Sequence, residues 1–232
     1  MALSQIRSRG VLKVGTTGDY MPMSFRDPAS GDYIGMDADL ARALAGSLDV
    51  DIEFVATSWP SLEDDTLAGR FDLALCGITI TEDRKTRILM SDGYMESGKT
   101  ILCRSEDAHR FTGLDSVNRP DVRVMVNPGG LNQQFARENL PDAVLTVHDS
   151  NQEIPALVAC GKADVMITEV QEAGYYAGLD RRLAAPLADR PFTHARMGIM
   201  MPKGSEDLLA YVNSFLREYE RDKKAPLTGR NL

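Results

Sequence analysis

Glu169 and Glu172, three residues apart, are the pair in this chain best suited to proton-transfer chemistry. They fall in DVMITEVQEAGYYAG, where an apolar run gives way to a helical pattern, so both can lie on one side of a first helical turn beside Thr168. A carboxylate at a helix N-terminus is ordinarily a dipole partner and stays ionised. For one of them to act as a general acid, desolvation and its neighbour's charge must raise its pKa against that dipole.

Three further stretches carry groups that suit an anion. CGITITEDRKTR offers the bare backbone of Gly77, the hydroxyl of Thr79 and the guanidinium of Arg84. Arg84 there is either a bidentate carboxylate ligand or a solvated first-turn charge. NPGGLNQQFARENL offers Asn127 and the backbone N–H groups of Gly129 and Gly130 ahead of a helix. An anion seat and a capped tight turn both fit this stretch, and the missing Lys-Ser/Thr ending excludes a P-loop. GTTGDYMPMSF brings Asp19, Tyr20 and Phe25, which either face a cleft or form an ordinary loop. Lys99, in SGKTILC, stands at a strand edge and is a solvated charge unless a cleft opens beside it.

The elements that must position these groups alternate along the chain. Residues 11–16, 51–56 and 71–76 read as strands, with a helix over 36–48 whose Leu40, Ala41, Leu44 and Ala45 share a face. A short helix is expected to open at Ser58, with Pro60 in its first turn. The order repeats with strands over 122–126, 144–147 and 163–167 and helices over 131–139, 151–160 and 169–177. Two successive β-α-β-α-β units predict an α/β protein of two lobes, each a mainly parallel sheet flanked by helices with right-handed crossovers. A strand over 196–201 and an amphipathic helix over 205–220 follow, with Leu208, Leu209, Val212, Phe215 and Leu216 on the apolar side. Ligands in such sheets gather at the carboxyl ends of strands. That rule directs attention to residues 16–25, 77–84, 127–132 and 168–172.

Composition narrows the choice. At 232 residues the chain can hold two modest cores, and its net charge of -8, without a cluster of basic and aromatic residues, argues against nucleic acid. No apolar run nears the roughly 20 residues of a membrane-spanning helix. The opening MALSQIRSRGVLKV carries no signal-peptide core, which leaves a removed leader and a cytoplasmic location both open. Cys76, Cys103 and Cys160 match no zinc or disulfide spacing and are expected to be buried thiols. His109, His148 and His194 have no metal-ligand spacing.

LKVGTTGDYMPMSF, GMDADLARALA, SWPSL, GRFDLALCGITITEDR and GKADVMITE, in this order and spread over nearly the whole chain, resemble the amino-acid-binding solute-binding proteins of family 3. The resemblance implies the type II periplasmic-binding-protein fold. One lobe would comprise residues 1–104 plus 194–232 and the other residues 105–193, joined by two hinge strands, and closure would bury a small carboxylate or amino-acid ligand. It also implies that Thr79 and Arg84 hold a carboxylate and that Glu169 meets the ligand's amino group. Periplasmic location follows, and a membrane transporter is a partner if the chain is a receptor.

TTGDY, TSWPSL, SGKT, VNPGGLNQQFAREN and the spacing from Glu169 to Glu172 are similar, more narrowly, to the cyclohexadienyl dehydratases. In that family prephenate or arogenate loses carbon dioxide and a hydroxyl group, giving phenylpyruvate or phenylalanine, with no metal or cofactor. The resemblance implies Glu172 as general acid, Trp59, Lys99 and Asn127 around the substrate, and Arg84 on a carboxylate. Leu131 departs from the pattern, standing where the family carries a threonine that meets the ligand. Three expectations therefore stand together: a carboxy-lyase, a non-catalytic receptor of a transporter, and a sensory input domain of a larger receptor. The oligomeric state is left open.

Overall fold

Alternation along each strand determines which core its residues join. The computed structural model describes residues 2–224. In it, Val11–Thr16 sits between Asp51–Ala56 and Leu73–Ala74, parallel to both, and Met200–Met201 and Leu89–Met90 complete a five-stranded sheet. Leu73 and Leu75 turn toward a core built with Leu40, Leu44 and Leu48 of the helix Met36–Leu48 and with Leu208, Val212 and Leu216 of the C-terminal helix Glu206–Lys224. Ala74 and Cys76 turn the other way, onto Leu62, Phe71, Ile78 and Ile88. The period of two puts apolar groups on both faces of this sheet, so both are covered by helices.

The second sheet runs in the order Val144–Val147, Arg123–Val126, Val165–Glu169, Lys99–Arg104, Leu183–Ala184. Its first three strands are parallel, while Lys99–Arg104 is antiparallel to both of its neighbours. Ile101, Cys103, Val124, Val126, Val165 and Ile167 face one core, and Leu102, Met125 and Met166 face the other. Two sheets, each with its own pair of cores, make two lobes. Between them Met95–Ser97 and Ala195–Met197 pair antiparallel as a two-stranded connection.

Several expected boundaries move. Residues 99–104, assigned to the first lobe from the sequence, are a full strand of the second sheet, where Ile101 and Cys103 are buried on one face and Leu102 on the other. The expected strand over 196–201 breaks at Gly198 into Ala195–Met197 and Met200–Met201, which belong to different sheets. The short helix begins at Leu62 with Ser61 at its N-cap, not at Ser58. Residues 151–160 divide into a 3-10 turn, Asn151–Glu153, and a helix, Ile154–Ala159, with Pro155 in its first turn. Cys76 and Cys103 are buried and pushed up to about 12 by burial, whereas Cys160 is exposed at a helix end. No described helix is long and apolar enough to cross a membrane.

Gly98 links the connecting strand to the second sheet, and a Cβ there would stand 2.0 Å from the carbonyl oxygen of Thr193. Backbone cannot retreat as a side chain can. Gly98→Ala is therefore expected to lower the unfolding free energy by about 1–3 kcal/mol in urea titrations. Gly46, in the helix Met36–Leu48, faces open space, so Gly46→Ala is expected to raise it by about 0.5–1 kcal/mol.

Candidate functional site

The carboxyl ends of both sheets meet across a cavity between the lobes. The first lobe contributes Tyr20, Trp59, Gly77, Thr79 and Arg84 to its wall, and the second contributes Lys99, Asn127, Gly130, Leu131, Asn132, Asn151, Glu169 and Glu172. The lobes are closed on each other: Asn151 Nδ2 donates to the Asp19 carbonyl at 3.0 Å and Gln152 Nε2 donates to the Gly18 carbonyl at 3.1 Å.

Glu169 ends the strand Val165–Glu169, and strand register sets it opposite Lys99. Lys99 Nζ donates to Glu169 Oε1 at 2.8 Å and to Asn132 Oδ1 at 2.6 Å. Thr79 Oγ1 reaches the same Glu169 oxygen at 2.6 Å from the other lobe, and Ser97 Oγ donates to Oε2 at 2.5 Å. Burial raises the pKa of Glu169, but the Lys99 charge and these hydrogen bonds outweigh it and hold the carboxylate below its ordinary range.

Glu172 lies one turn further on, in the helix Val170–Leu179, and is 1% exposed. Its partners are neutral donors: Asn151 Nδ2 at 2.8 Å on Oε1 and Thr168 Oγ1 on Oε2. Burial pushes its pKa up, the charges of Asp19 and Glu169 add to this, and the two hydrogen bonds oppose it, for a result of about 8. Two carboxylates three residues apart are thus held in opposite protonation states at neutral pH. A pair split in this way can supply a proton from one member and a fixed negative charge from the other.

Arg84 is buried and donates through Nε to Glu63 Oε1 at 3.0 Å and through Nη1 to the Thr79 carbonyl at 2.7 Å. Two of the guanidinium's five N–H groups are thereby used, which fixes its plane and leaves the others for an anion. Gly130 caps the helix Leu131–Asn139, and no side chain caps that end. Trp59 Nε1 donates to Asp19 Oδ1 at 3.0 Å, and its ring meets Tyr20 edge to face at 5.9 Å.

The sequence-derived candidates divide accordingly. Tyr20, Trp59, Gly77, Thr79, Arg84, Lys99, Asn127, Gly130, Leu131, Glu169 and Glu172 all line the cavity. Asp19 stands behind Trp59, and Thr168 stands behind Glu172. Phe25 is a correction: its neighbour Ser24 turns inward to Thr16, so Phe25 turns away and is absent from the wall. Gly129 is another. Its N–H is taken by Gln133 Oε1 at 2.9 Å, and a Cβ would meet Pro60, so this glycine serves close contact between the lobes. The N–H of Gly77 is also taken, by buried Asp37 at 2.5 Å, and its missing side chain makes room for the Tyr20 ring.

Asn132 and Asn151 line the cavity without having been singled out. Asn132 lies inside a stretch the strand-end rule had marked. Asn151 follows the end of the strand Val144–Val147, so the same rule applied to that strand would have reached it.

Two α/β lobes closed over a cavity lined by anion-binding groups define a binding-protein architecture. Residues 12–226 match the bacterial extracellular solute-binding proteins, family 3, and the chain belongs to that family. A cyclohexadienyl dehydratase of Pseudomonas aeruginosa is 39% identical over 94% of this chain and 81% of its own length. The L-cystine-binding protein TcyJ of Escherichia coli is 25% identical over 95% of the chain and 81% of its own. Among solved structures, the ancestral amino acid-binding protein described as a precursor of cyclohexadienyl dehydratase matches with a TM-score of 0.88 at 39% identity, covering 96% of this chain and 95% of that one. An ancestral cyclohexadienyl dehydratase is 53% identical over 95% and 91% of the two chains, with a TM-score of 0.58. The type II periplasmic-binding-protein fold expected from the motifs is thereby established, in a family that includes both receptors and a dehydratase.

The raised pKa of Glu172 has a consequence for stability. The folded protein keeps this proton up to about pH 8, while the unfolded chain releases it near pH 4. Between these values the folded state binds more protons, so this group's contribution to stability falls as pH rises. Glu172→Gln removes that slope. In urea unfolding it is expected to match the wild type near pH 4 and to gain on it by up to about 1.4 kcal/mol for each pH unit from there to pH 8; a difference that does not change with pH would contradict this assignment.

Proposed function

We propose that the chain is a cyclohexadienyl dehydratase-like carboxy-lyase that converts prephenate or arogenate to phenylpyruvate or phenylalanine, with Glu172 as general acid. The observation that carries this reading is a fully buried glutamate on the cavity wall, held protonated at neutral pH beside a second glutamate held ionised. Arg84 takes one substrate carboxylate through its remaining N–H groups, and Asn127 and the uncapped helix end at Gly130 offer donors to the other. Glu172 gives its proton to the departing ring hydroxyl, which leaves as water. The bond to the ring carboxylate breaks, its electron pair completes the aromatic ring, and carbon dioxide is released. Glu172 is left as a carboxylate and regains a proton from solvent.

Two buried acceptors and donors suit such a substrate. Tyr20 and Asn151 line the cavity, and the Tyr20 hydroxyl and Asn151 Oδ1 are buried without a hydrogen-bond partner in the protein, so a ligand hydroxyl or carboxylate that reached them would satisfy them. Closure keeps the reacting groups dry and strengthens each of these contacts. A periplasmic location belongs to the same reading.

A second reading, a receptor for an amino acid or carboxylate, is favoured by Leu131, whose apolar side chain enters the wall at the helix end where a hydroxyl would assist the substrate. Incubation with prephenate and with arogenate, followed by phenylpyruvate absorbance and phenylalanine release, separates the two readings. Turnover is expected, with Glu172→Gln lowering kcat by about 10²–10⁴-fold and wild-type activity falling above about pH 8 as Glu172 ionises. Wild-type protein without turnover above background sinks the enzyme reading; undiminished activity in Glu172→Gln sinks the assigned acid.

A further inference from the structure

Three residues of the cleft wall, Arg84, Gly130 and Leu131, also line a second cavity. The rest of its wall comes from Glu63 of the first lobe and from Gly129, Gln133, Gln134, Arg137 and Glu138 of the second. Gln134, Arg137 and Glu138 are exposed, so this cavity lies on the outer side of the cleft. The two spaces meet at Arg84 from one lobe and at Gly130 and Leu131 from the other. Gly130 has no side chain, which leaves Leu131 as the second lobe's side chain at that boundary.

The chain as a whole carries a net charge of -8, which opposes the approach of an anion. The outer cavity departs from that balance. Glu63 is compensated twice: Oε1 accepts from Arg84 Nε at 3.0 Å and Oε2 from Arg87 Nη1 at 3.1 Å. Glu138 accepts from a neutral donor, Gln134 Nε2, at 2.9 Å. Gln133 is turned back to the helix start, where it accepts from the Gly129 N–H at 2.9 Å. Arg137 has no such commitment: among the described residues its guanidinium makes no hydrogen bond or ion pair. Three arginines therefore stand against two glutamates at this mouth. A cation in the last turn of Leu131–Asn139 suits the helix dipole, but the dipole does not account for its place on a cavity shared with Arg84.

We propose that the outer cavity is an anion-binding vestibule of the cleft, in which Arg137 first holds the ligand's carboxylate and passes it across the Leu131 boundary to Arg84. This rests on the carboxylate ligand of the proposed function, which the dehydratase and the receptor share. Arg84 belongs to both walls and keeps N–H groups unused, so the anion exchanges one guanidinium for another without leaving the field of a cation.

Trp59 is the one tryptophan of the chain and lies on the cleft wall, so its fluorescence reports the arrival of a ligand. Stopped-flow mixing with prephenate then reads association and dissociation rates without requiring turnover. At an ionic strength of about 0.01 M, where charges act over about 30 Å, Arg137→Gln is expected to slow association about three- to tenfold, and Arg137→Glu further. Near 1 M salt, screening within about 3 Å removes the difference. Dissociation is expected to slow in step, because a residue on the route lowers the barrier in both directions. Arg181→Gln removes the same charge from an exposed position in the same lobe that lines neither cavity, and is expected to leave both rates unchanged. Association undiminished in Arg137→Gln at low ionic strength, or slowed equally in Arg181→Gln, overturns the vestibule. So does a loss of affinity carried by faster dissociation alone, which would place Arg137 in the final site. Arg137-dependent entry without turnover removes the dehydratase reading and keeps the vestibule, whereas turnover with entry indifferent to Arg137 does the reverse. A wild type that does not bind prephenate removes both.

Discussion

A carboxylic acid buried without a cation is the constraint around which this cleft is arranged. Glu172 has Asn151 and Thr168 as partners, both neutral. Neutral donors orient a carboxyl group without compensating its charge, so desolvation decides the protonation state. The position works against the helix dipole, since the first turn of Val170–Leu179 would favour the anion. Burial wins because the other lobe closes the site. Asn151 spans the gap, giving its amide hydrogens to Glu172 and to the Asp19 carbonyl, and so ties the environment of the acid to contact between lobes.

Glu169 shows the converse solution three residues away. It is 5% exposed, and an isolated charge there would be untenable, but Lys99, Thr79 and Ser97 surround it with donors. These donors come from three places: the paired strand of its own sheet, the opposite lobe and the connecting strand Met95–Ser97. The buried ion pair therefore sits at the junction about which the lobes are joined. Removing either partner would strand the other charge, whereas the two together cost far less. Arg84 is stabilised in the same way from outside the cavity by Glu63, with the Thr79 carbonyl completing its orientation.

Close packing around the cleft depends on small residues as much as on hydrogen bonds. Gly129 admits Pro60 of the opposite lobe, Gly77 admits the ring of Tyr20, and Gly98 lets the chain pass the Thr193 carbonyl. Each is a place where a methyl group would hold surfaces apart. The family comparisons fit a scaffold that serves both receptors and a dehydratase.

Local pattern was enough to read much of this protein. The helix Met36–Leu48 and the strands Val11–Thr16 and Asp51–Ala56 were legible because apolar spacing at 3.6 or 2 residues records which face is buried. The strand-end rule likewise led to Thr79, Arg84, Asn127 and the two glutamates, since it depends only on element order. Residue spacing could not say which glutamate meets a cation. That was decided by register: antiparallel pairing sets Lys99 opposite Glu169, while one helical turn carries Glu172 away to Asn151. Nor could it divide residues 196–201 between two sheets or turn Phe25 from the cleft, because both depend on which strand lies alongside. Sequence by itself determined that two carboxylates would stand at a strand end beside anion-binding groups. Tertiary structure alone decided that one would be ionised and the other protonated, because pKa is set by burial and by partners brought from distant parts of the chain.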